Sequence, residues 1–565
     1  MLSSFSDYGS KHINASDLTS QANNTRQRAE AASFEEVEER FTESTREPLS
    51  QAAKIKEADI VVGIPFYNEA DTIGSVLKTV GKGLEEFYPN QKCVIVAAGS
   101  PAGGKALNLI DTLPQSDEIS RIAFLLTDER LNGKGWSVRA IFEIAKVLGA
   151  DLAIVEADLK SRHRNGEMEG LAPDWISLLL EPIKKGEIDL VISRFNRHYF
   201  ESCISAHLVY PLLTAIYGSP IHDPLGGQWG ISNRLLRTYL QDLRQVGGSE
   251  IGGYGVDSWL TTTAIASGAR ICEANLGIKI DGLSVAKTEL VLWGVAEVLF
   301  EQVVADKKWW QEVERISESP LLYPLATFGA KKTHPPDEVK IAPQQLVAKY
   351  KRGFNKFHSL YARILPEEAY QQLEKLAINE IEQFHFPATL WAQIVYGFLL
   401  DLGFRREYAR GDLMHSFIPL CEGHLAGFAL EIQALKAKLQ SFLPAEAEHL
   451  ASLEAERQIE GLVNEFLHQK PHFLTEWDRR EETLKPPVPK VTYREFIPGV
   501  PLVVPLELTS PDGKVVATAN GIYDSIFPRY KKEFEQFIHE RLKAPKDADT
   551  GELSTSKGIP NLAYS

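Results

Sequence analysis

Cysteine, basic charge and long apolar runs are all scarce in this 565-residue sequence, and each absence excludes a class of protein. The four cysteines lie far apart, with neither a CxxC pair nor a zinc-type spacing, which indicates reduced core residues. A formal net charge of -15 argues against general nucleic-acid binding, which needs a basic face. No apolar run approaches the roughly 20 residues of a membrane-spanning helix, and the first residues lack the pattern of a secretory signal. These features predict a cytoplasmic protein without a membrane span.

The chain is long enough for two or three domains, and the first change of pattern comes near residue 56. Residues 1–55 are polar and poor in large apolar side chains, so we expect a largely disordered leader with some helix near Phe34–Phe41. Residues 56–300 alternate short apolar runs with amphipathic stretches. This alternation predicts an α/β fold, with a mostly parallel sheet and helices on both faces.

The second change of pattern comes near residue 300, where the strand pattern gives way to helices. Residues 301–543 are mostly helical in pattern, with Pro-rich breaks and a stretch at 488–520 that suits a hairpin. Residues 544–565 are typical of a tail. The sequence thus predicts an α/β domain followed by a large helical domain.

Two carboxylates follow the buried strand predicted at 152–155. Glu156 and Asp158 stand two positions apart at the C-terminal tip of this strand. Open α/β sheets bind their ligands at this edge, and paired carboxylates there suit a hard divalent cation, which in turn suits a diphosphate. A solvated acidic strand end is the simpler alternative, and this stretch alone does not decide between the two.

The first two predicted strands also end in residues that suit a nucleotide. Pro65 closes the first strand, and Asn68 and Glu69 follow it beside a helix start. These two side chains suit the hydroxyls of a nucleoside, but they suit helix capping equally well. Small residues close the second strand up to Ser100, where a base or a phosphate can approach the backbone.

Three glycine-rich segments further along the chain carry polar residues. Lys134 lies between two glycines at a helix start, which suits a diphosphate contact, although the spacing is not that of a Walker A loop and a surface turn is the alternative. The turn at 224–228 brings backbone groups close to a ligand. Asp257 follows a Gly-rich segment and opens a helix, where a capping role and a catalytic role are compatible.

The order of these motifs resembles that of a GT-A glycosyltransferase. PFYNEADTI, VAAGS, GKGWSVRA, EAD, PLGGQ, GYGVD and NLGIKID follow one another between residues 58 and 300. The chain is similar to two retaining families in particular, mannosylglycerate synthase and glucosyl-3-phosphoglycerate synthase. The resemblance implies a Rossmann-like GT-A domain over 56–300, and it also accounts for a helical extension after it.

The resemblance implies a role for each matching position. The donor-binding positions are Pro65, Asn68, Glu69, Ser100, Lys134, Glu156, Ala157, Gly226, Gly227 and Gln228. The metal ligands are Asp158 and Asp281, for Mg²⁺ or Mn²⁺, the catalytic residues are Asp257 and Asp158, and the acceptor contacts are Arg194, Arg197 and Tyr254. Three positions depart from the families: Glu156 replaces Asp, Gln228 replaces Glu and Asp281 replaces a metal-binding His.

The function implied by the resemblance is metal-dependent transfer of mannose or glucose, with retention of configuration, to glycerate or 3-phosphoglycerate. The donor would be GDP-mannose, UDP-glucose, GDP-glucose or ADP-glucose, and a homodimer is an open alternative to a monomer. A catalytically weak sugar-nucleotide-binding scaffold and a transferase with another small acceptor are the competing interpretations. A nucleotidyltransferase fits less well, because no Gly-rich basic loop follows the first strand.

Overall fold

The computed structural model describes residues 34–243, 250–281, 285–316, 327–328, 335–404, 410–484, 488–491, 506–509 and 515–518. It divides into two compact units, Met1–Pro471 and His472–Ser565. In the first unit, an eight-stranded sheet is followed by a bundle of long helices. Among the described residues, no helix is both long enough and apolar enough to cross a membrane.

The main sheet has the order β10-β9-β7-β8-β4-β1-β2-β3. Its strands are β1 (Ile60–Phe66), β2 (Cys93–Gly99), β3 (Ile119–Leu125), β4 (Asp151–Ile154), β7 (Leu190–Phe195), β8 (Trp229–Ile231), β9 (Ile271–Gly277) and β10 (Thr327–Phe328). Every neighbouring pair is parallel except those of β8, which runs antiparallel to both β4 and β7. A separate hairpin joins β5 (Ser161–Arg164) to β6 (Glu167–Gly170).

Helices cover both faces of the sheet, as its alternating side chains require. The helices of this region are α1 (Phe34–Ile55), α2 (Ile73–Phe87), α3 (Gly104–Thr112), α4 (Lys134–Leu148), α5 (Asp174–Lys184), α6 (Tyr210–Tyr217), α7 (Asn233–Leu243) and α8 (Val256–Ala266). Val62 packs in one core with α2 and α5, whereas the next residue, Gly63, faces Ile141 of α4 on the other side. The predicted α/β class is confirmed.

The helix expected near Phe34–Phe41 is present but continues to Ile55 as α1, so the prediction of a largely disordered leader is wrong for residues 42–55. Val37 and Phe41 are buried, and Glu38 forms a two-pronged ion pair with Arg139 of α4. The Arg139 guanidinium also lies 4.2 Å above the ring of Phe41. The sequence shows no clear helical pattern of large apolar residues here, because most of the buried positions after Phe41 carry small residues such as Ala52. Residues 1–33 lie outside the described residues.

The helical region follows the sheet, in agreement with the sequence pattern. Its helices are α9 (Val285–Ala305), α10 (Lys307–Ile316), α11 (Pro343–Ile364), α12 (Glu367–Ile378), α13 (Ala388–Phe404), α14 (Arg410–Phe442) and α15 (Ala447–Leu484). Gly353 lets α11 approach the Pro419 ring of α14, since a larger residue would collide with that ring. The indole of Trp391 in α13 donates to the carbonyl of His207, 2.7 Å away, and so joins this region to the sheet region.

The second unit contains a three-stranded antiparallel sheet in the stretch expected to hold a hairpin. Its strands are β11 (Val488–Val491), β12 (Leu506–Thr509) and β13 (Val515–Thr518). The end of the region predicted to be mostly helical up to residue 543, and the tail predicted at 544–565, lie outside the described residues. The domain boundaries predicted at residues 55, 300 and 543 remain predictions.

Candidate functional site

The C-terminal ends of the parallel strands meet at one edge of the sheet, and the polar motifs meet there with them. Glu156 follows β4, Gln228 precedes the antiparallel strand β8, and Lys279 follows β9. Lys134 and Asp257 stand at the first turns of α4 and α8. The edge at which α/β sheets bind ligands therefore carries both acidic and basic side chains.

Five charged side chains at this edge form a continuous row of alternating charges, which we call the ion-pair chain: Asp257, Lys134, Glu156, Lys279 and Asp281. The Nζ of Lys134 lies 2.7 Å from Oε1 of Glu156 and 2.9 Å from both carboxylate oxygens of Asp257. The Nζ of Lys279 lies 2.6 Å from Oε2 of Glu156 and 3.4 Å from Oδ2 of Asp281. No member has a side chain more than 19% exposed.

Burial and mutual attraction act in opposite directions on these groups. Burial alone would raise the pKa of Glu156, but Lys134 and Lys279 outweigh it and hold that pKa well below its usual range. Burial lowers the pKa of Lys134, whereas Asp257 and Glu156 raise it, and the net result is a raised value. The pKa of Asp257 is raised by burial and by Glu156, against the opposing effect of Lys134. The pKa of Lys279 is lowered by burial but raised on balance by Glu156, so Glu156 and both lysines are charged at neutral pH.

The loop that carries Lys134 is locked to the loop that precedes Asp257. Gly135 donates its backbone N–H to the carbonyl of Gly253, 3.2 Å away. A side chain at Gly135 would collide with the carbonyl of Ile251, so only glycine allows this approach. This contact fixes the helix start that presents Lys134, and it disfavours the alternative of a simple surface turn.

The turn before β8 is shaped around Glu156. Gly227 has a φ of +87°, and a side chain there would collide with the Glu156 carboxylate. Gln228 is fully buried, and its Nε2 donates to Oε2 of Glu156 over 3.0 Å. Gly226 leaves room for Ser193, and its carbonyl accepts from Lys279. The amide of Gln228 is thus a donor that a glutamate could not replace while ionised.

The predicted nucleoside edge lies at the ends of β1 and β2. Pro65 is buried within β1, and Ser100 donates its N–H to the carbonyl of Phe66 over 2.9 Å. Asn68 is exposed, and the carboxylate of Glu69 accepts from the backbone N–H of Tyr67 over 2.5 Å. Glu69 therefore closes its own turn in this structure.

Thr72, which the sequence did not single out, connects this edge to the acidic motif. Its hydroxyl donates to the carbonyl of Ala157 over 2.6 Å. Thr72 is buried and directly precedes α2. Its type and position before a helix are the only signals that the sequence offers, and both also suit an ordinary cap.

The three predicted acceptor residues lie in different surroundings. The side chain of Arg197 is 10% exposed, and it donates to Asp223 over 2.9 Å and to Glu201 over 3.0 Å, so it braces the turn before Gln228. Arg194 is 39% exposed and lies 3.5 Å from Glu273. Tyr254 is exposed in the loop just before Asp257.

Asp158 and Asp281 are the carboxylates that the resemblance assigns to a metal. Burial lowers the pKa of Lys279, and the charges that raise it include those of Asp281 and Asp158, so both carboxylates act on one ammonium. Among the described residues, no three His, Cys, Asp or Glu side chains are grouped as a metal centre. Mg²⁺ usually takes one or two carboxylates and completes its shell with water and phosphate oxygens. The donor set fits a cation of that kind, and the ammonium shows that the position attracts positive charge.

Comparison with known proteins gives one relative of matching class. No protein-family model matches the chain. Glycosyltransferase AglD of Haloferax volcanii is 28% identical over 144 residues, which are 26% of this chain and 20% of that protein. The chain thus spans about a fifth of the length of this curated relative. The relative is a glycosyltransferase, which is the class that the motifs predict.

Solved structures similar to the chain are also glycosyltransferases. Glucosyl-3-phosphoglycerate synthase of Mycobacterium tuberculosis, with bound phosphoglyceric acid, is 19% identical, covers 45% of this chain and 82% of its own, and has a TM-score of 0.32. The mannosyl-3-phosphoglycerate synthase of Rubrobacter xylanophilus is 14% identical and covers 47% and 80%, with a TM-score of 0.32. Mannosyltransferase PcManGT of Pyrobaculum calidifontis, with GDP-Man and Mn²⁺, is 13% identical and covers 76% and 95%, with a TM-score of 0.31. Likeness at this level carries no argument about the reaction.

Proposed function

We propose that this protein transfers a hexose, mannose or glucose, from a nucleotide-diphosphate sugar to a small anionic acceptor, glycerate or 3-phosphoglycerate. The observation that carries the proposal is the ion-pair chain at the ligand-binding edge of the sheet. Burying five charges is costly, and such clusters are typical of sites that bind or transform a charged ligand. A cytoplasmic location is part of the proposal.

Lys134 is the residue that we expect to bind the donor diphosphate. It stands in the first turn of α4, where backbone N–H groups and the helix dipole favour an anion. When the diphosphate arrives, it competes with Asp257 for the ammonium of Lys134. Asp257 is thereby released from a contact that now uses both of its oxygens.

The released Asp257 is suited to the acceptor hydroxyl. Burial already raises the pKa of Asp257, so its carboxylate accepts a proton more readily than an exposed one does. The acceptor oxygen forms its bond to the anomeric carbon, while the bond to the diphosphate oxygen breaks and leaves its electron pair on the diphosphate. The acceptor proton passes late to Asp257. Attack from the face that the diphosphate leaves retains the configuration.

Asp158 and Asp281 would hold Mg²⁺ or Mn²⁺, which would supply charge neutralisation of the leaving diphosphate. Glu156 has a different task, because Lys134, Lys279 and Gln228 already occupy its oxygens. It keeps the two lysines apart and in place. This division of tasks explains why the first acidic position tolerates Glu.

The proposal is tested by incubating the protein with each of the four donors and each of the two acceptors. Parallel samples contain Mg²⁺, Mn²⁺ or EDTA, and products are identified by mass. We expect one donor–acceptor pair to yield a glycoside and EDTA to abolish it. Binding of a donor without any product would favour the scaffold interpretation instead. No donor binding by calorimetry would contradict both.

A further inference from the structure

We propose that the ammonium of Lys279 takes the place of the divalent cation in the free protein. Lys279 thereby keeps the metal affinity low until the donor diphosphate is present. The inference rests on the proposed function, because it assumes that Asp158 and Asp281 receive the metal. Lys279 belongs to the segment after β9 and has no role in the functional assignments made from the sequence.

The ammonium of Lys279 is surrounded by oxygen atoms. Three oxygens lie within 3.4 Å of its Nζ: Oε2 of Glu156 at 2.6 Å, the carbonyl of Gly226 at 3.3 Å, and Oδ2 of Asp281 at 3.4 Å. The side chain is only 7% exposed, and the ring of Phe195 lies 5.9 Å from the Nζ. This is the environment of a bound cation, supplied here by the chain itself.

A divalent cation on Asp281 would face this ammonium at short range, because Lys279 already lies within ion-pair distance of the same carboxylate. Like charges repel strongly in a site with little water. Lys279 therefore lowers the affinity of the free protein for Mg²⁺ or Mn²⁺. The nucleotide diphosphate changes this balance, since its oxygens bind the metal and give the ammonium a new anionic partner.

Metal and nucleotide are consequently expected to bind with positive cooperativity, each raising the affinity for the other by the same factor. Lys134 lies on the other side of Glu156, in contact with Asp257. The two lysines thus have different tasks: Lys134 meets the diphosphate, and Lys279 holds the cation position.

The test is a calorimetric titration with Mn²⁺ alone. It is carried out on the full-length wild type and on Lys279→Met. We expect the variant to bind Mn²⁺ at least tenfold more tightly than the wild type when no nucleotide is present. UDP or GDP should tighten Mn²⁺ binding at least tenfold in the wild type and much less in the variant. Lys92→Met is the matched control, because Lys92 is exposed and pairs with Glu57 before β2, at the opposite edge of the sheet.

Equal Mn²⁺ affinity in the wild type and Lys279→Met would overturn the proposal, as would the absence of Mn²⁺ binding in both. If Lys279→Met does not fold, the double variant Glu156→Gln/Lys279→Met removes one charge of each sign, and the same tenfold difference applies to it. These readings are independent of turnover. If the protein binds Mn²⁺ as expected but makes no glycoside, the inference about Lys279 stands and the proposed function is contradicted.

Discussion

Two buried polar regions of this molecule differ in how they deal with charge. The ion-pair chain keeps five charged groups together at the sheet edge. The other region, which we call the histidine pair, consists of His207 and His424, whose Nδ1 and Nε2 atoms lie 3.0 Å apart. Burial lowers the pKa of His207 to about 4, and burial and the neighbouring ring hold the pKa of His424 well below its usual value. The histidine pair is therefore neutral at neutral pH.

The surroundings of the histidine pair are aromatic. The ring of His424 stacks on Trp391 with 4.7 Å between centroids, and His207 lies 4.4 Å from Phe428. In the described part of the chain, the outer ring nitrogens, Nε2 of His207 and Nδ1 of His424, have no hydrogen-bond partner. The pair joins the turn Ser205–Val209 to α14, so it links the sheet region to the helical region.

The contrast between charged and neutral groups indicates different roles for the ion-pair chain and the histidine pair. A buried cluster of charges is weak support for stability, because desolvation offsets most of the attraction, and it is better explained by exchange of partners with a ligand. A neutral pair packed among aromatic rings contributes through burial and shape. Substitutions in the ion-pair chain should therefore reduce activity first, and substitutions in the histidine pair should reduce stability first.

The largest expected effect comes from Lys134→Met, which breaks the ion-pair chain between Asp257 and Glu156. Removal of a cation that faces the leaving diphosphate should lower kcat by about 10²–10³-fold. The measurement is initial rate by mass spectrometry with the donor and acceptor that the screen identifies. Lys92→Met, on the exposed opposite edge, should retain the wild-type rate. A variant that keeps wild-type kcat would exclude Lys134 from the reaction.

Asp257→Asn should have the next largest effect. The amide keeps the size of the side chain but cannot accept the acceptor proton, so kcat should fall by about 10²-fold while donor affinity changes little. Donor affinity is measured by calorimetry and kcat by product formation. An unchanged kcat would show that another group takes the proton, and a large loss of donor affinity would assign Asp257 to binding instead.

Gln228→Glu should reduce stability as well as activity, although Gln228 lies beside the ion-pair chain. It places a second carboxylate at the position from which Gln228 now donates to Glu156 over 3.0 Å. We expect a loss of about 1–3 kcal/mol in the free energy of unfolding at neutral pH, partly recovered in the swap Glu156→Gln/Gln228→Glu. Urea unfolding gives the free energies.

The control for that substitution is Gln371→Glu. Gln371 also donates to a glutamate, Glu367, over 2.7 Å, but on an exposed helix face. The same pair of like charges in solvent should cost only a few tenths of a kcal/mol, about 0.2–0.5 kcal/mol. Similar losses at both positions would show that burial is not the cause.

Much of the sheet edge could be predicted from the sequence. Lys134 and Asp257 each stand at a helix start and Glu156 at a strand end that the sequence predicts, and parallel strands bring their C-terminal ends to one edge. Whether these residues act in catalysis remains a prediction. That these residues lie at the same edge follows from the local sequence patterns and from the rule that the C-terminal ends of parallel strands share one edge.

The rest depended on contacts between distant segments. Lys279 follows a strand like many exposed lysines, and its burial arises only because Glu156 and Gly226 reach it from other strands. The strand β8 has three residues, and the strand β5 is polar throughout, so neither shows a usable period. Arg197 was predicted to face the acceptor because of the resemblance, but it donates to Glu201 in the next turn and to the buried carboxylate of Asp223, which the chain brings back from a later segment.

The histidine pair should make the free energy of unfolding depend on pH. The unfolded chain binds protons on both rings below about pH 6.5, whereas burial depresses the pKa values of both rings in the folded protein. The free energy of unfolding should therefore fall as the pH is lowered from about 6.5 towards 4, with a limiting slope of about 1.4 kcal/mol per pH unit for each ring. His424→Phe removes one ring that titrates and should make this slope shallower by about half. Urea unfolding between pH 5 and 6.5 measures it.

His468→Phe is the control for that slope, since His468 is 83% exposed and meets water in the folded and the unfolded chain alike. Its variant should follow the wild-type curve. An unchanged slope in His424→Phe would mean that the buried rings do not resist protonation, and the neutral character of the histidine pair would be lost. The two regions would then differ in composition but not in the way they handle charge. A shallower slope, together with full activity of His424→Phe at pH 7, would place stability in one region and chemistry in the other.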